Sequence, residues 1–161
     1  MEIRRATDAD HDAVWEIFRN VIAAGDTYAF DPAMPREKAI GYWFADGAAT
    51  YVASENGKIL GTYILKPNQP DLGSHVANAG YMVSDEARGK GVGSALCRHS
   101  MEEATKQGYL AMQFNIVVST NEAAVHLWQK HGFRIIGTTP KGYRHQKLGL
   151  VDTYIMFREL V

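Results

Sequence analysis

Apolar residues recur with helical spacing in four segments of the chain. In the run from Val14 to Ile22, five apolar residues fall on one helix face at i, i+3, i+4, i+7 and i+8. A second helix is predicted to begin near Pro35, a third after the glycine-rich stretch before Val92, and a fourth at Ser119, where Ser119 and Glu122 have capping-box spacing. The predicted buried faces of these three helices contain Ile40, Trp43 and Phe44; Val92, Leu96, Cys97, Ser100, Met101 and Ala104; and Ala124, Leu127, Trp128 and His131.

Seven runs rich in β-branched and aromatic residues predict strands. They are a short run at Ile3 and the segments Thr50–Ser54, Ile59–Leu65, His75–Ser84, Leu110–Val118, Phe133–Thr138 and Val151–Phe157. Asn56-Gly57 predicts a hairpin between the second and third strands, whereas a polar stretch with Pro140 and Gly142 predicts a loop between the last two. The order of elements predicts one α/β domain over residues 1–161, with a mixed sheet covered by helices.

Composition narrows the classes of function. The chain has 161 residues, 46% apolar and 22% charged, as is typical of globular proteins. Its formal net charge of −1 argues against a broad surface for nucleic acid or for anionic membranes. The single cysteine, Cys97, cannot form an intrachain disulfide, and we find neither a signal-peptide pattern nor an apolar run long enough to span a membrane. We therefore expect a cytoplasmic protein.

A glycine-rich turn is the most informative motif. Residues 88–93, Arg88-Gly89-Lys90-Gly91-Val92-Gly93, directly follow a predicted strand and lead into a predicted helix. Glycine allows close approach of a ligand, and the free N–H groups and dipole of a helix start favour an anion such as pyrophosphate. The spacing fits neither a dinucleotide fingerprint nor a P-loop, which requires Ser or Thr after Gly-Lys. A solvated basic turn is the alternative interpretation.

Several motifs in order resemble the acetyl-CoA motifs of the GCN5-related N-acetyltransferases, the GNAT family. They are Val83, the turn at residues 88–93, Asn121-x-x-Ala124-x-x-Leu127-Trp128, and Gly132-Phe133. The resemblance implies the GNAT fold, which has a mostly antiparallel mixed sheet of six to seven strands and about four helices. It also implies acetyl-CoA as the cofactor, with its pyrophosphate on the backbone of residues 88–93.

The same resemblance assigns roles along the cofactor. The strand before the turn would splay from its neighbour and bind the pantetheine arm through Tyr81, Met82 and Val83. An N–H group of Met82 or Val83 would stabilise the thioester oxygen, and Asn121 would contact the arm. The reaction implied is direct attack of a neutral amine on the acetyl thioester.

The chain resembles more closely the phosphinothricin-type amino-acid acetyltransferases and the enzymes that acetylate proline analogues such as azetidine-2-carboxylate. The supporting residues are the run from Gly25 to Phe30, Asn78, and Phe114-Asn115 followed by Thr120-Asn121. The resemblance implies that Tyr28, Phe30 and Asn78 bind the substrate and that Asn115 positions the attacking amine or its water. Polar satisfaction of neighbouring backbone is the alternative role for each asparagine.

One position departs from the family pattern. Many relatives have a tyrosine acid where this chain has Trp128, whose indole N–H is no comparable acid. Either the thiolate leaves unprotonated or another group such as Tyr143 protonates it, whereas Trp128 itself reads as a packing residue. The six histidines have no ligand-like spacing, so we expect no metal.

The predicted function is acetyl-CoA-dependent N-acetylation of a small amine, an amino acid or its analogue. Acetylation of protein N-termini or lysines is one alternative, and a non-catalytic acyl-CoA sensor is another. The resemblance also implies a homodimer.

Overall fold

A computed structural model describes residues 1–161 and contains a seven-stranded sheet with four α-helices. The strands are β1 (Glu2–Arg5), β2 (Ala49–Glu55), β3 (Lys58–Pro67), β4 (Val76–Val83), β5 (Ala111–Val118), β6 (Arg134–His145) and β7 (Gly149–Glu159). The helices are α1 (His11–Ala24), α2 (Arg36–Trp43), α3 (Val92–Lys106) and α4 (Glu122–Lys130). The predicted α/β class, the seven strands and the four helices are confirmed.

The strand order is β1-β2-β3-β4-β5-β7-β6, and every neighbouring pair is antiparallel except β4–β5. The parallel pair is short, because only Val76–Ala111 and Ala77–Met112 are in register. Beyond these residues the two strands diverge, and β5 has a register shift between Phe114 and Val117. The centre of the sheet is therefore open at the carboxyl end of β4.

The β2–β3 hairpin forms at the predicted turn. Asn56 and Gly57 have φ angles of 52° and 77°, which are the left-handed values that a two-residue hairpin turn requires. Asn tolerates this region better than most residues, and Gly has no steric penalty there. This turn fixes the register that places β3 beside β4.

The sheet separates two apolar clusters. On one face, α1 buries the predicted stripe from Val14 to Ile22, and α2 buries Ala39 and Trp43. The indole N–H of Trp43 donates to the hydroxyl of Thr62 at 3.0 Å, so this buried polar atom is satisfied. On the other face, the buried side of α3 packs on the central strands. The two clusters hold β4 from both sides.

Two local predictions were wrong. The stretch with Pro140 and Gly142 belongs to β6, because β6 is an edge strand and an edge tolerates a proline without a paired N–H. The cap of α4 is Asn121 rather than Ser119, since the Asn121 side chain accepts the Ala124 N–H at 3.3 Å. In addition, none of the helices has the length and apolar character that crossing a membrane requires.

Candidate active site

The gap between β4 and β5 opens into a cleft of about 1120 Å³. One end lies between the segment 26–30, α2 and the start of β4, and we call it the acceptor end. The other end lies between the turn at 88–93, the first turn of α3 and α4, and we call it the cofactor end. The diverging strands form the passage between the two ends.

The cleft brings together almost the whole set of residues predicted from the sequence. Those that line it are Tyr28, Phe30, Asn78, Tyr81, Met82, Val83, Arg88, Gly89, Gly91, Val92, Gly93, Asn115 and Asn121. Lys90 does not line it. The residues come from five separate segments, so their convergence is a property of the fold rather than of any single motif.

The free edge of β4 presents alternate backbone groups to the gap. The Ser84 N–H donates to the Leu60 carbonyl on β3 at 2.9 Å, and hydrogen-bonded pairs recur at every second residue of an antiparallel ladder. Met82 therefore has its N–H toward β3, whereas Tyr81 and Val83 have theirs toward the gap. Of the two N–H groups considered for the thioester oxygen, only that of Val83 is directed into the cleft.

Tyr28 closes part of this edge. Its hydroxyl donates to the Tyr81 carbonyl at 2.9 Å, and burial raises the pKa of the Tyr28 phenol above its ordinary value. The ring of Tyr28 stacks on Phe30 with centroids 5.6 Å apart, and Phe30 meets Tyr42 edge-on at 5.0 Å. These aromatic side chains form a rigid wall at the acceptor end.

The cofactor end has the geometry of an anion site. Gly89 and Gly91 have φ angles of 73° and 80°, and a Cβ built on either would meet no atom within 4 Å. Glycine is therefore required here by the backbone, and the space above the turn is open. Gly91 caps α3, whose first N–H groups have no intrahelical partners. Arg88 adds a positive charge at the edge of the cleft and lies 3.2 Å from Asp85.

Asn78 lies where the two central strands part. Its Nδ2 donates to the Gln113 carbonyl at 3.0 Å, which occupies a backbone group that the diverging β4 has left unpaired. Its Oδ1 has no partner within the protein, so an acceptor oxygen remains available at the edge of the cleft. Asn78 thus satisfies a backbone carbonyl through its Nδ2 and keeps its Oδ1 free for a ligand.

Asn115 has both ends of its amide occupied. Its Nδ2 donates to Asn68 Oδ1 at 2.8 Å, and its Oδ1 accepts from Gln113 Nε2 at 3.1 Å. An amide oxygen has a second lone pair, so Oδ1 can still accept from an amine or a water. The network fixes the orientation of this side chain.

Trp128 packs against aromatic neighbours and also lines the cleft. Its ring lies 4.9 Å from Tyr81 and 5.0 Å from Phe114, centroid to centroid. Tyr143, the other acid considered from the sequence, does not line the cleft, and its hydroxyl donates to the Tyr28 carbonyl at 3.0 Å. Burial also raises the pKa of Tyr143. These contacts do not support Tyr143 as the replacement acid.

Sequence analysis did not single out several residues of the cleft, and three of them lie at or beside the acceptor end. Asp26 and His145 line the acceptor end, and Tyr42 separates it from a smaller hollow of about 400 Å³. His145 gave no signal, because the part of β6 that contains it was predicted as a loop. Asp26 lies inside the run from Gly25 to Phe30 that carried the closer resemblance, and Tyr42 is adjacent to Trp43 in a predicted helix. Both could have been named as candidates.

Comparison with known proteins decides the family. The sequence profile of the Acetyltransferase (GNAT) family matches residues 12–133, which is most of the chain. The chain belongs to the GNAT family. The resemblance stated from the sequence is confirmed, and so is the prediction of an acetyltransferase. Acetyl-CoA, the predicted cofactor, is the acetyl donor of GNAT enzymes.

Individual GNAT relatives extend over most of the chain. N-acetyltransferase aca1 of Schizosaccharomyces pombe is 31% identical over 153 residues, covering 83% of this chain and 72% of that protein. L-amino acid N-acetyltransferase AaaT of Escherichia coli is 29% identical over 161 residues, covering 97% of this chain and 96% of that protein.

Two solved structures are similar to this fold. A GCN5-related N-acetyltransferase from Kribbella flavida is 43% identical, with a TM-score of 0.94 over 98% of this chain and 96% of that one. The structure of yncA from Salmonella typhimurium, which contains acetyl-CoA, is 24% identical, with a TM-score of 0.88 over 100% of this chain and 94% of that one. The latter likeness concerns the fold alone.

Proposed function

We propose that this GNAT protein transfers the acetyl group of acetyl-CoA to the amine of a small molecule, an amino acid or its analogue. The observation that carries the proposal is the single cleft between β4 and β5. Its cofactor end has the features of a phosphate site, and its acceptor end has an aromatic wall and a free amide oxygen. Such a passage allows two ligands to meet at a strand edge.

The residues of the cofactor end fit acetyl-CoA. The turn at 88–93 and the first turn of α3 bind the pyrophosphate through backbone N–H groups, with Arg88 beside them. The free edge of β4 pairs with the amide-bearing arm, and Asn121 lies along its path. Acetyl-CoA supplies an activated acetyl thioester. The Val83 N–H, which is directed into the cleft, would donate to the thioester oxygen and stabilise negative charge there.

The acceptor end holds the amine. Asn78 Oδ1 accepts an N–H of the acceptor, and Asn115 orients the amine or the water that takes its proton. Deprotonation is necessary because an amine with a pKa near 10 is about 4 kcal/mol from its neutral form at pH 7. Tyr28 and Phe30 limit the size of the acceptor through their rigid stack. Similarity to an L-amino acid N-acetyltransferase favours the same acceptor class.

Thiol release from acetyl-CoA, measured with a panel of free amino acids, simple amines and peptides, tests this function. We expect turnover with amino acids. Asn78→Ala is expected to lower kcat/KM for the acceptor about tenfold, as for one lost hydrogen bond to a charged or reacting group, with acetyl-CoA affinity within twofold. Turnover with peptides alone would favour a protein acetyltransferase, and binding without turnover would favour a sensor. A cytoplasmic location and a homodimer stay predictions.

A further inference from the structure

Tyr42 and Lys66 form a polar pair between the two cavities. The Lys66 Nζ donates to the Tyr42 hydroxyl at 3.0 Å and lies 4.5 Å from the centroid of the Tyr42 ring. Tyr42 lines both the cleft and the smaller hollow, whereas Lys66 lines only the hollow. The oxygen of Tyr42 accepts from Lys66, so its own O–H is left to donate.

The sheet register places this pair beside Asn78. Lys66 of β3 is directly opposite Asn78 of β4, and directly opposite residues of an antiparallel pair point to the same face. Their Cα atoms are separated by about 5.5 Å in a hydrogen-bonded pair. Lys66, which donates to the Tyr42 hydroxyl, and Asn78 are therefore neighbours on the same face of the sheet.

The fixed charge that lines the acceptor end is the carboxylate of Asp26, so an anionic ligand bound there needs a cation from outside the cleft lining. The fixed charges that line the cleft are Asp26, Arg88, Glu122 and Lys130, and the last three lie at the cofactor end. The acceptor end thus has no cation of its own. Lys66 takes part in none of the ion pairs of the protein, so its charge is not neutralised by a carboxylate.

We propose that Lys66 and Tyr42 act as a relay that binds the carboxylate of a free α-amino acid while Asn78 holds its amine. In such a substrate, one carbon bears both the amine and the carboxylate. This matches the position of Lys66 directly opposite Asn78 in the sheet. Lys66 polarises the Tyr42 hydroxyl, and Tyr42 donates to the carboxylate. An N-terminal residue of a protein has an amide at this place, so the relay selects free amino acids. This inference rests on the proposed acetyltransferase function.

The test compares an amino acid with its primary amide, which has the same side chain and amine. The measured quantity is the ratio of kcat/KM for the acid to kcat/KM for the amide. Tyr42→Phe is expected to lower this ratio about tenfold, because it removes one hydrogen bond to a charged group. Lys66→Met is expected to lower it in the wild-type background and to have less than about a twofold effect in the Tyr42→Phe background, since both act through one contact.

Lys38→Met is the matched control, because Lys38 is exposed one helical turn from Tyr42 and contributes nothing to the cleft. Its ratio should equal that of the wild type, and an equal loss in Lys38→Met would mean a general charge effect and would overturn the relay. A wild-type enzyme that acetylates acid and amide equally well also overturns it. Absence of thiol release with every amine would instead remove the proposed function.

Discussion

Asp10 shows how one buried carboxylate organises the start of the chain. Its oxygens accept from Arg4 at 2.8 and 2.9 Å, and Oδ2 also accepts the Thr7 N–H at 2.8 Å. The hydrogen bonds from Arg4 are the main reason why the pKa of Asp10 lies below the ordinary value of 3.8. The carboxylate thus links β1 to the beginning of α1, although it has no contact with the cleft.

Asp10→Asn is expected to destabilise the protein by about 1.5–3 kcal/mol at pH 7, because the charged hydrogen bonds to Arg4 are lost. The folded state lowers the pKa of Asp10, so its contribution is present above the ordinary value of 3.8 and is lost as the pH falls through the lowered pKa. Urea unfolding of the wild type and of Asp10→Asn at pH 7 and pH 3 measures this contribution. The difference in free energy of unfolding between the two proteins should be smaller at pH 3.

The exposed Asp46 provides the control, since Asp46→Asn removes a carboxylate that has neither an ion pair nor a hydrogen bond. It should change the free energy of unfolding by less than about 0.5 kcal/mol. An Asp10→Asn effect that is equally small at pH 7 would contradict the role given to the pair.

At the residue scale, the sequence predicts which residues have a special role better than it predicts which residues they contact. Asn78 stands out because an amide on a central strand needs hydrogen-bond partners. Gly91 stands out because a glycine just before a helix indicates a special backbone conformation. Their partners depend on strand register, which a single sequence does not reveal. For this reason, only the β3–β4 register shows that the N–H group directed into the cleft is that of Val83 rather than that of Met82. The hydrogen bond between Tyr42 and Lys66 was not predicted for the same reason.

At the scale of elements, α3 has its start fixed by glycine. Gly91 has a φ of 80° at the cap, whereas Gly41 lies inside α2, and a Cβ at either would have nothing within 4 Å. Gly91→Ala is expected to cost about 1–2 kcal/mol through the left-handed backbone alone. Gly41→Ala should stabilise by about 0.5–1 kcal/mol, as in helix interiors.

Thermal unfolding of the Gly91→Ala and Gly41→Ala proteins shows directly whether each substitution raises or lowers Tm. Because the substitution is the same and neither Cβ meets a neighbour, opposite shifts in Tm isolate the backbone conformation. A stabilised Gly91→Ala protein would show that the turn does not hold the left-handed conformation in solution.

Elements with strong local patterns were predicted correctly, whereas the second half of the edge strand β6 was not. α1 has a full apolar stripe and β2–β3 has Asn-Gly, so local sequence determines both. β6 is largely exposed and includes Pro140 and Gly142, which give a loop pattern. It is a strand because β7 supplies partners, and that is a tertiary effect. His145 was missed as a consequence.

At the scale of the whole molecule, a net charge of −1 makes any attraction of an anion a local effect. The sequence assigned the pyrophosphate to both Arg88 and Lys90, but only Arg88 lines the cleft. The two residues are close in sequence and both are exposed. They therefore form a matched pair for separating a specific contact from general charge.

Acetyl-CoA at 100 times its Kd should stabilise the folded protein by about 2.7 kcal/mol, because it binds only the folded state. For a chain of this size, that corresponds to a rise in Tm of about 5–10 °C. Arg88→Glu should weaken acetyl-CoA binding at least about tenfold in calorimetry, since it would place a negative charge beside the phosphates. At the same concentration of acetyl-CoA, a tenfold loss leaves about 1.4 kcal/mol of stabilisation, so at least about half of the rise in Tm should disappear. Lys90→Glu makes the same change in net charge and should weaken binding less than about threefold, because that side chain is exposed and does not line the cleft. Equal losses in the two variants would mean that the turn attracts the cofactor only through its overall charge.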